Sequence, residues 1–238
     1  MRISFLGRIS GGFAVSLLLA SSALADPTDP TLTLTGPPPG NIMGNYYVAP
    51  YQGTVTNPTV SALGSGTLNL ICDDFTHDVS KGMSWQVHIS TFADLSATRF
   101  GTADTVQYQE AVWLINQMNF NSSNSTVLAN NGYAQYAIWA LFQAPNVGSN
   151  DSTTKAWLSG IQSSAGLSAA QVLNINLMID GAVANYQGVN TAGFYILTPD
   201  AGQPGQEYIT QVPVPEPSTV ALCASGLLAF WSRRKRLV

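Results

Sequence analysis

The chain has 238 residues, a formal net charge of −4 and only 9% charged residues. Six of its nine basic residues lie near the two ends, so the part between them holds three basic residues against twelve acidic ones. This net charge of −9 argues against nucleic acid or an anionic membrane surface as a partner. The central part is long enough for one domain with a substantial hydrophobic core.

The first 25 residues have the three parts of a secretory signal peptide. Arg2 and Arg8 are followed by an apolar run at residues 13–20, and Ala23 and Ala25 are the small residues that precede a cleavage site. We therefore expect the mature protein to begin directly after residue 25 and to leave the cytoplasm.

Residues 26–41 are rich in proline and threonine, and the sequence predicts an extended leader there. Threonine and leucine alternate over residues 31–35, which predicts an edge strand. Alternating threonines also build ice-binding faces, but such faces need many stacked repeats. The chain has one copy and no internal repeat of a suitable period, so ice binding is not expected.

The pattern of residues 42–212 predicts a single domain of the α+β class, with strands at both ends that form a β-sandwich or sheet and a central group of about four helices. Proline and glycine separate the early strands, and alternation around Trp85 indicates a half-buried strand with His88 on its polar face. A capping box at residues 168–171 opens the last helix. The predicted strands are 42–48, 54–60, 67–75, 85–89, 193–199 and 207–212, and the predicted helices are 102–118, 132–142, 152–163 and the one that begins at the capping box. The predicted core includes Trp113, Ile138, Trp139, Leu141, Ile175 and Ile179.

Residues 213–238 contain three features in a fixed order. Pro215, Glu216 and Pro217 form a stiff tripeptide that stays out of helix and sheet. An apolar run at 220–231 follows, shorter than the ~20 residues that span a bilayer. The basic tail stays on the cytoplasmic side of the membrane under the positive-inside bias; its residues are Arg233, Arg234, Lys235 and Arg236.

This C-terminal arrangement closely resembles the PEP-CTERM sorting signal of Gram-negative bacteria, a segment also called the ice-binding protein C-terminal domain. The resemblance implies transient membrane insertion and recognition by an exosortase, a membrane transpeptidase. It also implies a final location at the cell surface or in the extracellular matrix, where exopolysaccharide is a possible partner. A simple tail anchor is the alternative, although an anchor has no need of the Pro-Glu-Pro tripeptide.

The chain has two cysteines, and one of them, Cys223, lies in the C-terminal apolar run. The exported body is therefore left with Cys72 alone, in an oxidising compartment where an unpaired thiol is unusual. Either the fold protects this thiol or the protein uses it.

Cys72 lies in the segment Leu-Ile-Cys-Asp-Asp-Phe at the end of a predicted strand, and Gln135 opens the segment Gln-Tyr-Ala-Ile-Trp on a predicted helix. Together the two segments resemble the thioester domains of bacterial surface adhesins. That resemblance implies a bond between the Cys72 sulfur and the side-chain carbonyl of Gln135. The chain departs from the family pattern in having alanine at position 134 and isoleucine at position 71.

The same pair has a chemical rationale. A thiol that attacks a primary amide expels ammonia and leaves a thioester, provided that the two groups are held together away from water. The sequence places Trp113, Ile138 and Trp139 as candidates to exclude water. A surface amine or hydroxyl would then be acylated, which gives covalent attachment. Gln109 is the rival partner, on a helix face that Glu110 is expected to make more polar.

Other chemistry receives less support. Cys72, Asp73, Asp74, His77 and Asp78 are metal-ligand types, but their spacing fits neither zinc nor calcium and favours a solvated acidic turn. A Cys-His hydrolase built from Cys72 with His77 or His88 has no further support, so we expect no enzyme, no metal and no cofactor. Two functions stay open: a covalent adhesin, or an unreactive secreted binding module for which Cys72 is simply a buried side chain.

Overall fold

The structure, a computed structural model, describes residues 29–36, 41–64, 66–143 and 151–212. The predicted signal peptide with Ala23 and Ala25, the sorting tripeptide at 215–217, the apolar run and the basic tail all lie outside these residues. None of the helices in the described ranges has the length and apolar character needed to cross a membrane.

Six strands close into an antiparallel barrel in the order β1-β4-β5-β8-β7-β6, and two very short strands form a separate hairpin. The fold class is therefore α+β, as predicted, but the sheet is a barrel and the structure shows no sandwich among its described residues. The strands are β1 Thr31–Gly36, β2 Ile42–Met43, β3 Tyr46–Tyr47, β4 Tyr51–Thr56, β5 Leu68–Cys72, β6 Ser84–Ser90, β7 Phe194–Pro199 and β8 Tyr208–Gln211.

The strand predicted at residues 31–35 is present, but its predicted position at an edge is wrong. β1 pairs with β4 on one side and with β6 on the other, and this double pairing closes the barrel. Its alternation buries Leu32 and Leu34 almost completely, while the threonines that alternate with them are more exposed. The segment assigned to a leader therefore supplies part of the domain, whose first strand begins at Thr31.

The predicted strand at residues 42–48 is also wrong, because the chain forms a hairpin there. β2 and β3 pair through Ile42 with Tyr47 and Met43 with Tyr46. The turn between them passes through Gly44, whose φ of 59° lies in the left-handed region that glycine occupies without strain. Asn45 ties the turn to the segment that follows α3 by donating from its backbone nitrogen to the carbonyl of Ala165.

Four α-helices fill the middle of the chain within the described residues, as the periodicity predicts. They are α1 Thr105–Asn116, α2 Ser125–Gln143, α3 Asp151–Ile161 and α4 Ala169–Asn185, with short 3-10 helices at Ser61–Gly64 and Thr102–Asp104. The capping box is present at the start of α4, where Ser168 and Gln171 exchange side-chain and backbone hydrogen bonds. α2 is the central helix, packed against α1, α3 and α4 and against the end of β5.

The core is one continuous cluster that joins the barrel to the helices. The predicted core residues Ile138, Trp139, Leu141, Ile175 and Ile179 are all buried. Trp113 is only half-buried, and its ring packs on α4 at the position of Gly181, where a Cβ atom would lie 2.7 Å from the ring. Trp113 therefore serves the contact between α1 and α4.

Candidate functional site

The structure brings Cys72 and Gln135 together. Cys72 is the last residue of β5, and Gln135 lies in the middle of α2, whose packing on the barrel carries it to the end of that strand. The Gln135 side-chain Nε2 donates to the backbone oxygen of Cys72 at 2.5 Å. Both residues are 0% exposed, so the thiol and the amide share a site that is closed to bulk water.

The Gln135 amide is only partly satisfied in this position. Its nitrogen has a partner, but its oxygen Oε1 is buried and has no hydrogen-bond partner among the described residues. A buried polar atom without a partner costs about 1–3 kcal/mol, so such atoms in native proteins call for an explanation.

The environment of the Cys72 thiol disfavours its ionisation. Burial raises the pKa of this thiol well above its ordinary value, and the adjacent acidic group of Asp73 raises it further. The Trp139 side chain has the opposite effect and lowers the pKa of the thiol. The Sγ donates to the backbone oxygen of Asp74 at 3.2 Å, so the resting form is a hydrogen-bonded thiol.

Aromatic rings surround the site on the side of α2. Trp139, one turn after Gln135, lies edge-on to Tyr46, Phe75 and Tyr136 with ring centroids 5.1–6.3 Å apart. Trp139 therefore lies in a buried aromatic cluster and Ile138 is buried in the core, whereas Trp113 serves a different contact. A cleft of about 120 Å³ reaches this aromatic wall from the surface, between Tyr46, Tyr47, Tyr51, Phe75, Asp78, Val79, Trp139 and Gln206.

The loop after Cys72 is held by a buried ion pair, so the prediction of a solvated acidic turn is wrong for Asp73 and Asp74, although the next ligand-type residues, His77 and Asp78, are exposed. Asp74 is 0% exposed, and its carboxylate accepts from Arg99 and from the Thr76 backbone and hydroxyl groups, with the His77 imidazole also in contact with it. Arg99 also donates to the backbone oxygen of Gly205. Among the described residues, no three His, Cys, Asp or Glu side chains are placed to hold a metal ion.

Sequence reasoning missed two residues that shape this site, Arg99 and Glu207. Glu207 precedes β8 and is 0% exposed, and it accepts from the Tyr108 hydroxyl at 2.6 Å and from the Arg99 backbone nitrogen at 2.7 Å. The one sequence feature that marks Arg99 is its rarity, since it is one of three basic residues in the central part of the chain.

The rival glutamine lies elsewhere on the molecule. Gln135 is the glutamine that is hydrogen-bonded to Cys72, whereas Gln109 is on α1 and is half-exposed. Its neighbour Glu110 was expected to make the helix face polar, but Glu110 is 0% exposed. Neither Glu110 oxygen has a hydrogen-bond partner in the described part of the chain, and burial raises the pKa of this carboxyl to about 7.

Glu110 gives the protein a testable pH dependence. Because its pKa in the folded state lies above the ordinary value of 4.5, folding favours the protonated form, and stability falls as pH rises from about 4.5 to about 7. Glu110→Gln removes this dependence, so the variant is expected to exceed the wild-type protein in stability by on the order of 2 kcal/mol at about pH 8 and to match it at about pH 4.

Urea unfolding at several pH values measures this difference. Asp73 has a pKa that is raised as well, but it is present in both proteins, so the difference between their curves isolates Glu110. If the free energies of unfolding of the wild-type protein and Glu110→Gln changed with pH in the same way, Glu110 would be charged in the folded protein at neutral pH.

Comparison with known proteins gives one sequence match and two similar folds. No curated protein sequence matches the chain. The chain is similar to the N-terminal domain of the Streptococcus pyogenes pilus tip adhesin Cpa, with 12% identity and a TM-score of 0.46 over 81% of this chain and 97% of that chain. It is also similar to the N-terminal thioester domain of fibronectin-binding protein SfbI from Streptococcus pyogenes, with 12% identity and a TM-score of 0.42 over 80% and 96% of the two chains.

The sequence match concerns the C-terminal segment. The family model described as the PEP-CTERM protein-sorting motif matches residues 213–236, which include the Pro-Glu-Pro tripeptide, the apolar run and the basic tail. The chain therefore carries a PEP-CTERM protein-sorting motif, the mark of a bacterial protein that is exported to the cell envelope or surface and processed by an exosortase system.

Proposed function

We propose that the exported protein is a surface adhesin that attaches covalently through a thioester between Cys72 and Gln135. The observation that carries this proposal is the placement of the Gln135 amide 2.5 Å from the Cys72 backbone, with both residues wholly buried. Two segments 63 residues apart in sequence meet at this point.

The site has the two properties that such a bond needs. Proximity replaces a bimolecular encounter between thiol and amide by an intramolecular one, which accounts for a large part of the barrier reduction. The aromatic wall keeps water from a product that hydrolyses easily, because Trp139 is only 3% exposed and is packed on three other rings.

The cleft beside Trp139 supplies a route for an acceptor. It opens at the surface next to Tyr47, which is 55% exposed, and ends at Trp139. A primary amine or a hydroxyl that enters it would come as far as Trp139, which separates the cleft from the Cys72–Gln135 site; attack on the thioester carbonyl after movement of this ring would release the sulfur as the Cys72 thiol. The PEP-CTERM motif supports this role because it sends the protein to the envelope or surface, where such acceptors are available. We extend this to the surface or matrix of a Gram-negative cell, where exopolysaccharide hydroxyls are one acceptor class.

A second candidate function is an unreactive binding module for an uncharged polymer. It is favoured by a separate cleft of about 550 Å³ at the opposite end of β5. The described residues that line it carry no charge and include three side-chain amides and one aromatic ring; they are Ala62, Gly66, Thr67, Leu68, Asn69, Phe120, Asn121, Gln211 and Val212. Such a lining can form hydrogen bonds to sugar hydroxyls.

Methylamine distinguishes the two functions. Incubation of the folded protein should convert Gln135 to its N-methyl amide, because the amine attacks the thioester carbonyl and releases Cys72. Peptide mapping should place the added methyl group on Gln135. The product should be absent in Cys72→Ala and present in Gln109→Ala, which is the matched control on α1.

Absence of a methylated Gln135 in the wild-type protein would leave the unreactive module as the function. Methylation that persists in Cys72→Ala would show that the amide reacts without the thiol and would also contradict the proposal.

A further inference from the structure

The cleft of about 550 Å³ lies at the end of β5 that is away from Cys72. One of its walls is the sheet, where Asn69 near the start of β5 lies beside Gln211 at the end of β8. The other wall is the loop between α1 and α2, which contributes Phe120 and Asn121. The volume falls within the range of about 300–1,000 Å³ that is usual for pockets that bind small ligands.

Both walls are held in place by hydrogen bonds within the protein. Asn131 of α2 is 1% exposed, and its side-chain amide accepts from the backbone nitrogen of Asn119 and donates to the backbone oxygen of the same residue, each at 3.0 Å. The Asn119 side chain accepts in turn from the backbone nitrogen of Asn121 at 3.1 Å. On the sheet, the Thr210 hydroxyl donates to the backbone oxygen of Asn69 at 2.9 Å. A ligand therefore meets a preformed surface, and little ordering of the protein opposes its binding.

The cleft presents hydrogen-bonding groups that the protein itself does not use. In the described part of the chain, Asn69 and Asn121 form hydrogen bonds through main-chain atoms, so their side-chain amides are available to a ligand. Gln211 adds an exposed third amide and Thr67 an exposed hydroxyl. An amide both donates and accepts, as a sugar hydroxyl does. Phe120 is half-buried beside these groups, and the face of an aromatic ring suits the C–H groups of a sugar ring.

The lining also disfavours other classes of ligand. None of the described residues that line the cleft is charged, so an ion would lose its hydration without meeting a group of opposite charge. An apolar ligand would take water from the amides without replacing its hydrogen bonds. A peptide that binds as an added strand needs a free strand edge, whereas β5 and β8 are each paired on both sides.

We propose that this cleft is a noncovalent binding site for a neutral glycan, with Asn69, Asn121 and Gln211 bonded to its hydroxyls and Phe120 packed on a sugar ring. The site is separate from the candidate thioester, because β5 is five residues long and spans about 13 Å between them. Glycan binding therefore adds to covalent attachment and does not depend on it. The protein holds a glycan at one end of the barrel and a covalent acceptor at the other.

The sorting motif adjoins the glycan end of the domain. Val212 lines the cleft, and the match to the motif begins at the next residue, 213. The chain thus passes from the rim of the cleft directly into the segment that the sorting machinery recognises. The candidate thioester lies at the end of the barrel that is away from this junction.

NMR spectra of the ¹⁵N-labelled exported protein test the site through its side-chain amide signals. Three uncharged hexasaccharides serve as probes: cellohexaose, laminarihexaose and maltohexaose. At least one of them should shift the side-chain signals of Asn69, Asn121 and Gln211. Hexagalacturonate is the matched anionic probe and should bind more weakly than that sugar, because the lining offers it no cation.

Variants inside and outside the cleft give the controls. Asn69→Ala and Phe120→Leu should each raise the Kd of the sugar by about fivefold, the effect of one lost hydrogen bond or ring contact. Gln52→Ala is the matched control, since Gln52 is the cross-strand neighbour of Asn69 and does not line the cleft. Cys72→Ala should bind the sugar as the wild-type protein does. Phe120→Leu decides the matter if Asn69→Ala does not fold.

Four results would overturn the proposal. The first is the absence of any shift in the three amide signals with all three neutral sugars, and the second is an equal loss of affinity in Gln52→Ala. Loss of binding in Cys72→Ala would place the sugar at the candidate thioester instead. Tighter binding of the uncharged peptide acetyl-pentaglycine amide than of every sugar would assign the cleft to a peptide. Failure of the methylamine reaction contradicts the proposed function alone and leaves the glycan site intact.

Discussion

Replacing Ile138 by aspartate is expected to destabilise the protein by several kcal/mol, enough to leave it largely unfolded. Ile138 is 0% exposed and lies on α2, the helix that contacts all three others and the end of β5. The substitution places an ionisable group without a partner in this core, which costs several kcal/mol. Since a typical domain is stable by only about 5–15 kcal/mol, little folded protein should remain.

Leu173→Asp is the matched control for this experiment. It makes the same change from aliphatic to acidic on α4, at a side chain that is 61% exposed, and surface changes of this kind cost within about 0.5 kcal/mol. Thermal or urea unfolding compares the two variants. Equal unfolding midpoints for Ile138→Asp and Leu173→Asp would mean that α2 is rotated relative to the core.

Arg99→Met is expected to have the second largest effect, with a loss of about 3–5 kcal/mol. The Asp74 carboxylate is 0% exposed and Arg99 is the cationic side chain bound to it, with His77 as a further partner. Methionine retains most of the apolar length of arginine, so the loss reports the uncompensated buried charge. The loop around Asp74 should loosen as well. This would weaken the hydrogen bond that the Cys72 thiol donates to the backbone oxygen of Asp74.

The ion pair between Lys155 and Asp180 provides the control. Its side chains are 28% and 47% exposed, and an exposed pair contributes about 0–1 kcal/mol. Urea unfolding of Lys155→Met should therefore differ little from that of the wild-type protein. If Arg99→Met also cost little stability, the buried Asp74 carboxylate would not need Arg99 to offset its charge.

The parts of the fold that depend on local pattern could be predicted from the sequence. The periodicity of apolar residues gave the four helices, and the Ser168 capping box was confirmed at the start of α4. Barrel closure could not be predicted, because it depends on β1 pairing with β6 some fifty residues away. Nothing local in the alternation around Leu32 and Leu34 tells whether one or both edges of that strand are paired.

The candidate site also has residues that could be predicted from local sequence and residues that could not. Cys72 and Gln135 were found because each lies in a short motif, and the structure brings them into contact. Arg99 and Glu207 were missed because their contacts span 25 and 108 residues of sequence. Asp73 was assigned to a solvated turn because acidic side chains are rarely buried, and its burial follows from the pairing of β5 with β8, two strands that are far apart in sequence.

The intact mass of the exported, folded protein tests the thioester most directly. Loss of ammonia should lower the mass by about 17 Da relative to the processed sequence. The deficit should vanish in Cys72→Ala and in Gln135→Ala, each compared with its own sequence, and should remain in Gln109→Ala. A wild-type protein of full mass, folded and untreated with any amine, would contradict the thioester and with it the covalent adhesin.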